Sequence, residues 1–314
     1  MIKTSSTASL NTGPLNTAPL KIGIIGLGAI GCLISSQLPS ICKIYALPRK
    51  TNNHANNISF QLHSENNSQT YQWPIWQGEM LDIVLVCCKA SQCEQALQQW
   101  HTAIGPETQI VLLQNGLGQH DSLSETFPYH AIFAASTTEG AFRSPPNLIT
   151  HAGIGQTQWG FYGGEAQEFK LPLALLKGDH HWADNIQQVL LDKLAINAVI
   201  NPLTVKYQCK NAELLSHAQA FSDLKLLCEE TETFFHSMGW PLSFKLFEKA
   251  QMIAQLTANN FSSMLQDVKN DRLTEIDFIN GYLLNKATEN NLTLPLSQSL
   301  VQLIKSHEPE KKIC

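Results

Sequence analysis

The sequence predicts an α/β domain followed by an all-α domain. Two observations support this prediction. In the first half, short apolar runs rich in β-branched residues alternate with helical patterns, as is typical of parallel strands buried on both faces. After Trp182 only helical patterns follow. We therefore place the domain boundary near Ala183, giving an N-terminal domain at 21–183 and a helical domain at 184–314. Residues 1–20 are rich in Ser, Thr, Asn and Pro and predict a flexible tail.

The elements of the first domain follow from the order of these patterns. Strands are predicted at 21–26, 43–47, 82–87, 109–113, 131–138, 148–151 and 156–162. The Asn- and Gln-rich residues 51–80 contain strand-like pieces that predict an edge hairpin. Helices are predicted up to Pro39, at 90–103, and, in the second domain, at 221–238 and 244–256.

Composition excludes several classes of protein. A net charge of −5 and a pI of about 6.1 argue against nucleic-acid binding. No window of 18 apolar residues occurs, so no membrane span is expected. The eight cysteines form no regular framework and no secretory signal precedes them, which predicts reduced thiols in a cytoplasmic protein. We interpret the adjacent Cys87 and Cys88 as packing residues rather than a redox pair. The histidine spacing offers no metal site, and none is expected.

The first predicted strand leads into a glycine-rich turn that opens a helix. The turn consists of Gly26, Leu27, Gly28, Ala29, Ile30 and Gly31, a G-x-G-x-x-G pattern. In a Rossmann-like domain these glycines allow a tight turn, close approach of a pyrophosphate and close helix–strand packing. The pyrophosphate then lies at the helix N-terminus. The strand–turn–helix context therefore predicts a dinucleotide-binding domain.

The residues after the second strand indicate which dinucleotide is bound. An NAD site usually places a carboxylate there to hold the ribose hydroxyls. Here no acidic residue occurs before Glu65, whereas Arg49 and Lys50 directly follow the strand. Two cations suit a 2′-phosphate, so we expect NADPH rather than NADH. The alternative is that both are solvated loop cations.

Polar residues also follow the next strands of the predicted sheet. Lys89 comes just after the strand at 82–87, and Asn115 follows the strand at 109–113. Ligands of doubly wound sheets bind outside the carboxyl ends of the strands. We therefore expect both side chains to lie near the dinucleotide.

A buried helix with one polar edge is predicted at 192–204. Lys193, Asn197 and Asn201 recur every four residues and so share one helix edge, while the residues between them are apolar. A buried ammonium and two amides need polar partners, which a bound ligand can supply. The alternative is a solvent-exposed helix edge. Pro202 predicts the end of this helix, because proline has no N–H for the next turn.

A second cluster of candidate residues lies near the C-terminus. Thr274 is predicted to cap a helix, with Glu275 in its first turn, where a carboxylate suits the helix dipole. Ordinary capping is therefore one interpretation of Glu275, and a role in the site is the other.

Together these stretches resemble the ketopantoate reductase (2-dehydropantoate 2-reductase) family. The resemblance runs from about Lys21 to Ser306 and depends on GLGAIG, Lys89, QNGLG, KLAINAVINPLT, SSMLQD and TEIDFINGYLL in the family's order. It implies NADPH-dependent reduction of 2-dehydropantoate to (R)-pantoate for coenzyme A synthesis, in a cleft between the two domains.

The resemblance also implies roles for individual residues. Lys193 matches the catalytic lysine, and Glu275 is a second catalytic candidate. Substrate positions match Lys193, Asn197, Asn201, Asn211 and Ser263. Cofactor positions match the glycine turn with Lys89, Asn115, Ala141 and Glu275, and the 2′-phosphate ligand at the second strand is Arg49, Lys50 or both. Ala212 departs from the family, which often has glycine there, so the resemblance does not define the loop around Asn211.

Two other functions stay open at this point. The chain could be a related reductase of another 2-oxo or 3-hydroxy acid, or an NADPH-binding regulator without turnover. Intact Lys193 and Glu275 argue against the regulator. A small-molecule substrate is expected, and the sequence leaves open whether the protein is a homodimer.

Overall fold

The computed structural model describes residues 18–49, 56–65 and 67–309. The strands are β1 (Lys21–Ile25), β2 (Lys43–Leu47), β3 (Asn57–Ser64), β4 (Asn67–Pro74), β5 (Ile83–Val86), β6 (Gln109–Leu112), β7 (Ala131–Thr137), β8 (Gly140–Ser144), β9 (Leu148–Gly153), β10 (Gln156–Gly164) and β11 (Asp179–Trp182). The helices are α1 (Ala29–Gln37), α2 (Cys93–Gln99), α3 (Gln119–Thr126), α4 (Ile186–Tyr207), α5 (Glu213–Ser216), α6 (Ala218–Ser237), α7 (Leu246–Leu256), α8 (Ser263–Lys269), α9 (Asn280–Glu289) and α10 (Pro295–Ser306).

The predicted fold class is confirmed: an α/β Rossmann-like domain precedes a helical domain. The main sheet has the order β11-β10-β7-β6-β5-β1-β2, and its five strands from β7 to β2 are parallel. All residues of β5 and β6 are buried, as both faces of a parallel sheet require. Two apolar clusters cover these two faces, and a third forms the core of the helical domain around α4.

The predicted edge hairpin is β3 and β4, which pair antiparallel and lie outside the main sheet. They join β9 and β8 in a second sheet of order β4-β3-β9-β8. Burial in β3 is one-sided, with Phe60 buried and its neighbours exposed. Such a strand covers helix α1 with one face and leaves the other in solvent, so it cannot belong to a sheet buried on both faces.

The division near Ala183 stays a proposal. Strand β11 ends at Trp182, and α4 starts three residues after Ala183, at Ile186. Leu20, assigned to the tail, is already tied to the sheet, since its carbonyl accepts from the Lys43 N–H at 2.8 Å. Among the described helices, none has the length and apolar character needed to cross a membrane.

The prediction that Pro202 ends its helix is wrong. Helix α4 continues through Pro202 to Tyr207. Pro202 leaves the carbonyl four residues earlier, that of Ala198, without its helical donor. The side-chain amide of Asn280, at the start of α9, donates to this carbonyl at 2.9 Å and is fully buried. A side chain 82 residues away in sequence thus replaces the missing N–H and keeps the helix continuous.

We expect Asn280→Leu to lower the free energy of unfolding by about 1–3 kcal/mol, the cost of a buried carbonyl without a donor. Adding Pro202→Ala should restore much of this loss, because alanine returns an N–H to the carbonyl of Ala198. Urea unfolding of the wild type, both single variants and the double variant measures the coupling. Additive effects of the two substitutions would contradict this account of the helix.

Candidate active site

A cleft of about 570 Å³ lies between the carboxyl end of the main sheet and the helical domain. One polar edge of α4 faces it. Its lining includes eight of the residues predicted from sequence: Ile30, Asn115, Ala141, Lys193, Asn197, Asn201, Asn211 and Ser263. Residues from six separate stretches of the chain therefore meet at one cavity, although their individual roles stay predictions.

The glycine turn has the geometry that a bound pyrophosphate needs. Gly26 has a φ of +86°, and a Cβ there would lie 2.4 Å from the backbone nitrogen of Cys88. A Cβ on Gly31 would lie 2.1 Å from the carbonyl oxygen of Gly26. At Gly28, by contrast, a Cβ would meet no atom within 4 Å. Gly26 and Gly31 therefore pack directly against neighbouring backbone, whereas the space beside Gly28 is open. This space lies at the N-terminus of α1, where no side chain caps the helix.

One cation follows β2, and another contacts the glycine turn from β8. Arg49 is exposed just after β2, as the 2′-phosphate prediction requires, and Lys50 lies outside the described residues. Arg143 on β8 was not identified from sequence. Its guanidinium donates to the carbonyl of Leu27 at 2.9 Å and to Asn147 Oδ1 at 2.6 Å. Only the folding of the second sheet against α1 brings this cation to the glycine turn.

Lys89 joins the two domains. Its ammonium lies 2.7 Å from Asp267 Oδ2 and also donates to the carbonyl of Leu273. Asp267 belongs to the SSMLQD stretch but was not singled out, because nothing in the sequence pairs it with a residue 178 positions earlier. Burial raises the pKa of the Asp267 carboxyl, and the neighbouring Lys89 opposes that shift. The predicted contact between Lys89 and the cofactor stays a prediction.

Glu275 also reaches across from the helical domain. Its carboxylate accepts from the backbone N–H of Ala90 at 3.3 Å and from Asn115 Nδ2 at 3.2 Å. The predicted helix is a short 3₁₀ turn, Ile276–Phe278, with Glu275 rather than Thr274 at its N-cap position and no side-chain capping bond, although the Thr274 hydroxyl accepts from the N–H of Ile276 at 3.2 Å. Burial raises the pKa of the Glu275 carboxyl, while these two donors oppose the rise. The carboxylate therefore contacts two strand-end residues of the other domain rather than capping its own helix.

The backbones of the two domains are in direct contact behind Asn115. The N–H of Leu117 donates to the carbonyl of Phe278 at 2.8 Å. A Cβ on Gly116 would lie 2.3 Å from that same carbonyl oxygen, and Gly116 has a φ of +82°. Only glycine meets both requirements, so the QNGLG turn is shaped for this contact.

Lys193 is held at the base of the cleft. Its ammonium donates to the carbonyl of Thr137, at the end of β7, at 2.8 Å. Burial lowers the pKa of Lys193 to about 8, and the negative charge of Glu275 opposes part of this shift. An amine with a pKa near neutral pH can hold or release a proton readily, which is the property that general acid catalysis requires.

The remaining predicted residues offer neutral polar groups. Asn211 donates to Thr257 Oγ1 at 2.8 Å, and its buried Oδ1 has no hydrogen-bond partner among the described residues. Ser262 accepts from the Leu265 N–H and contacts Thr204, so it caps α8, and both Ser262 and Ser263 line the cleft. Ala212 has a φ of −69°, a conformation open to any residue, so its replacement of glycine leaves the loop unstrained.

These residues fit a nicotinamide dinucleotide and a small polar substrate. The open Gly28 and the uncapped start of α1 offer room and backbone donors for a pyrophosphate. The cleft continues from Ile30 in α1 past Asn115 to the polar edge of α4. Fold and site together define a two-domain, nicotinamide dinucleotide-dependent oxidoreductase.

Comparison with known proteins identifies the family. The family described as ketopantoate reductase PanE/ApbA matches residues 22–164, and its C-terminal counterpart matches 185–308. The chain therefore belongs to the ketopantoate reductase family. The 2-dehydropantoate 2-reductase of Vibrio cholerae serotype O1 is 35% identical over 234 residues, covering 72% of this chain and 78% of that protein. That of Escherichia coli O157:H7 is 34% identical over 236 residues, covering 73% and 75%.

Solved structures show the same fold. The crystal structure of a probable 2-dehydropantoate 2-reductase from Bacillus subtilis has a TM-score of 0.77 at 27% identity and covers 92% of this chain and 100% of that chain. A PanE/ApbA family ketopantoate reductase from Ralstonia eutropha has a TM-score of 0.81 at 20% identity, with coverage of 92% and 98%. D-mandelate dehydrogenase with NADH has a TM-score of 0.78 at 23% identity, covering 92% and 98%. This last likeness indicates a shared fold and leaves the substrate open.

Proposed function

We propose that this protein reduces the C2 carbonyl of 2-dehydropantoate to give (R)-pantoate, with NADPH as cofactor, for coenzyme A synthesis. The observation that carries the proposal is the polar edge of α4, where Lys193, Asn197 and Asn201 line a cleft that reaches the glycine turn. Family membership and the names of the curated relatives support the same substrate.

Lys193 would supply the charge and the proton at the reacting carbonyl. Bound NADPH would supply the hydride, and the charge to be stabilised would then develop on the carbonyl oxygen. An ammonium beside that oxygen stabilises the charge and can donate the proton. With a pKa of about 8, Lys193 is largely protonated at neutral pH and still acidic enough to donate. The nearby Glu275 carboxylate favours the protonated amine.

Neutral groups would hold the rest of the substrate. Asn197, Asn201 and Ser263 offer amide and hydroxyl donors for a carboxylate, and the partnerless Oδ1 of Asn211 can accept from a hydroxyl. 2-Dehydropantoate carries both groups, whereas simple 2-oxo acids lack the hydroxyl. Asn211 lines the cleft and its Oδ1 is buried without a donor among the described residues, so a substrate hydroxyl that reached this oxygen would complete its hydrogen bonding.

We expect kcat/KM to be roughly 10- to 100-fold higher for 2-dehydropantoate than for 2-oxoisovalerate, because the analogue leaves one buried acceptor without a donor. This ratio is measured by incubating the protein and NADPH with each of a panel of 2-oxo acids. The decrease in NADPH absorbance gives the rate of oxidation. Asn211→Ala should reduce the ratio, since it removes the discriminating acceptor. Equal kcat/KM values across the panel would refute the substrate and favour a broader 2-oxo acid reductase.

The cofactor preference is tested at the loop after β2. Replacing Arg49 and Lys50 with alanine should raise KM for NADPH roughly tenfold or more and leave KM for NADH nearly unchanged, since only NADPH carries the 2′-phosphate. Arg143→Ala is the matched control, because its guanidinium lies at Leu27 in the glycine turn and should affect both cofactors alike. If the double variant weakens NADPH and NADH equally, Arg49 and Lys50 do not bind the phosphate.

A further inference from the structure

Cys88 and Cys93 lie together at the point where the two domains meet. Their sulfur atoms are 3.9 Å apart and in hydrogen-bond contact. Cys88 follows β5, and Cys93 is the first residue of α2. The backbone nitrogen of Cys88 also lies beneath Gly26 in the glycine turn. Neither thiol has a role in the reduction proposed above.

The neighbouring Cys87 provides a contrast within the same strand end. Successive side chains of a strand point to opposite faces. Cys87 packs with the apolar cluster on the α1 side of the main sheet, whereas Cys88 packs with the cluster that contains Cys93 on the α2 side. Cys87 is therefore directed away from Cys93, although it is adjacent to Cys88 in sequence.

The two thiols of the pair have different reactivity. The hydrogen bond with Cys93 lowers the pKa of the Cys88 thiol, and burial opposes this shift. The same hydrogen bond, together with burial, raises the pKa of Cys93. Burial also raises the pKa of Cys87. Since the thiolate is the nucleophile, Cys88 is the thiol of the three that is set up to react first.

We propose that Cys88 and Cys93 are a reversible disulfide site that couples oxidation to the cleft between the domains. A disulfide has an S–S distance of about 2.05 Å, so the sulfur atoms must approach by roughly 2 Å. The loop that would be closed contains Lys89 and Ala90, which contact Asp267 and Glu275 of the helical domain. Closing it therefore strains the contacts that align the two domains.

The oxidant would be a hydroperoxide. The Cys88 thiolate attacks one oxygen, an S–O bond forms, the O–O bond breaks, and the departing oxygen takes a proton to leave as water or an alcohol. The sulfur of Cys93 then attacks the sulfur of Cys88. An S–S bond forms, the S–O bond breaks, and the hydroxide leaves with the proton of Cys93 as water. A dithiol reverses the step by two exchanges and is itself oxidised to a disulfide.

Peptide mapping of the full-length protein tests the site directly. Trypsin cleaves after Lys89, between the two cysteines, so a disulfide would appear as two peptides joined after cleavage. We expect this linked pair after treatment with hydrogen peroxide and alkylation of the remaining thiols. The pair should persist in Cys87→Ser, and be absent in Cys88→Ser and Cys93→Ser. No linked pair in the wild type, or a link that requires Cys87, would overturn the proposal.

Two functional measurements test the coupling to the cleft. Peroxide treatment should lower both the affinity for NADPH and the rate of 2-dehydropantoate reduction by about fivefold or more. NADPH fluorescence measures the affinity, and dithiothreitol should restore both values. In Cys88→Ser, the same peroxide treatment should leave NADPH affinity and the rate of reduction within about twofold of the untreated variant. A linked peptide with unchanged affinity and rate would overturn the coupling. Peptide mapping and NADPH binding do not need the substrate, so they remain decisive if 2-dehydropantoate is not reduced.

Discussion

Substituting Lys193 by alanine is expected to lower kcat by roughly 10²- to 10⁴-fold, the usual range for a general acid. The ammonium acts mainly on the alkoxide that forms in the transition state, so the loss should appear in kcat more than in KM. In the wild type, kcat/KM should also fall above pH 8, where Lys193 loses its proton. Steady-state kinetics between pH 6 and 10 should show this limb in the wild type and not in Lys193→Ala.

Two further variants separate charge from proton donation. Lys193→Arg keeps the positive charge but holds its proton too tightly to donate it, so we expect it to stay far below wild type. Asn201→Ala removes a neutral contact already made with bound substrate, so KM should rise more than kcat falls. Near wild-type turnover by Lys193→Arg would show that Lys193 stabilises charge only and that the proton comes from water.

The pH dependence of the free energy of unfolding provides a check on the folding of these variants, because it depends on the pKa of Lys193. Its pKa is about 8 in the folded protein and 10.5 ordinarily, so the unfolded state binds more protons between these values. The wild-type free energy of unfolding should therefore rise with pH across this interval. Lys193→Ala should lose this dependence and be at least as stable at pH 7, since it removes a buried charge.

Glu275→Ala is expected to lower kcat/KM by about 10²-fold, since it removes an acceptor of two hydrogen bonds, each worth about 1.5–3 kcal/mol when charged. Part of the decrease in kcat/KM should come from weaker NADPH binding, because the Asn115 amide and the Ala90 N–H no longer donate to the Glu275 carboxylate. It should also lower the pKa of Lys193 further, moving the alkaline limb of the pH profile to lower pH. NADPH titration and pH-dependent kinetics measure both effects.

Asp277 provides the matched control for Glu275. It lies two residues further on, is exposed, and contacts Lys305 within the helical domain at 2.5 Å. Exposed ion pairs contribute about 0–1 kcal/mol, so Asp277→Ala should leave kinetics and NADPH affinity nearly unchanged. Comparable losses in both variants would indicate a general disturbance of this segment rather than a specific function of Glu275.

Features encoded by neighbouring residues could be predicted from sequence. The glycine turn, the buried strands and the polar edge of α4 each depend on local spacing. Lys89 and Asn115 were predicted near the dinucleotide because parallel strands end at one sheet edge. The structure places both at the boundary of the two domains, and their contact with the cofactor stays a prediction. The fold class followed from the same patterns.

Features that depend on distant residues could not be predicted. No local signal pairs Lys89 with Asp267 or brings Arg143 to Leu27. The course of α4 through Pro202 is the clearest case, since proline is a reliable helix terminator unless another group replaces its N–H. Here that group is the Asn280 amide, which sequence spacing cannot reveal.

The bond between Asn280 and Ala198 has a consequence for synthesis of the chain on the ribosome. Helix α4 can wind as soon as it leaves the exit tunnel, but the carbonyl of Ala198 must stay hydrated until residue 280 emerges. Burying it earlier would cost about 1–3 kcal/mol. At about 5–20 residues per second, the separation of 82 positions corresponds to about 4–16 s of synthesis. During this time the apolar helix of the nascent protein is exposed to water. Chaperones that bind exposed apolar segments can bind it before Asn280 is available.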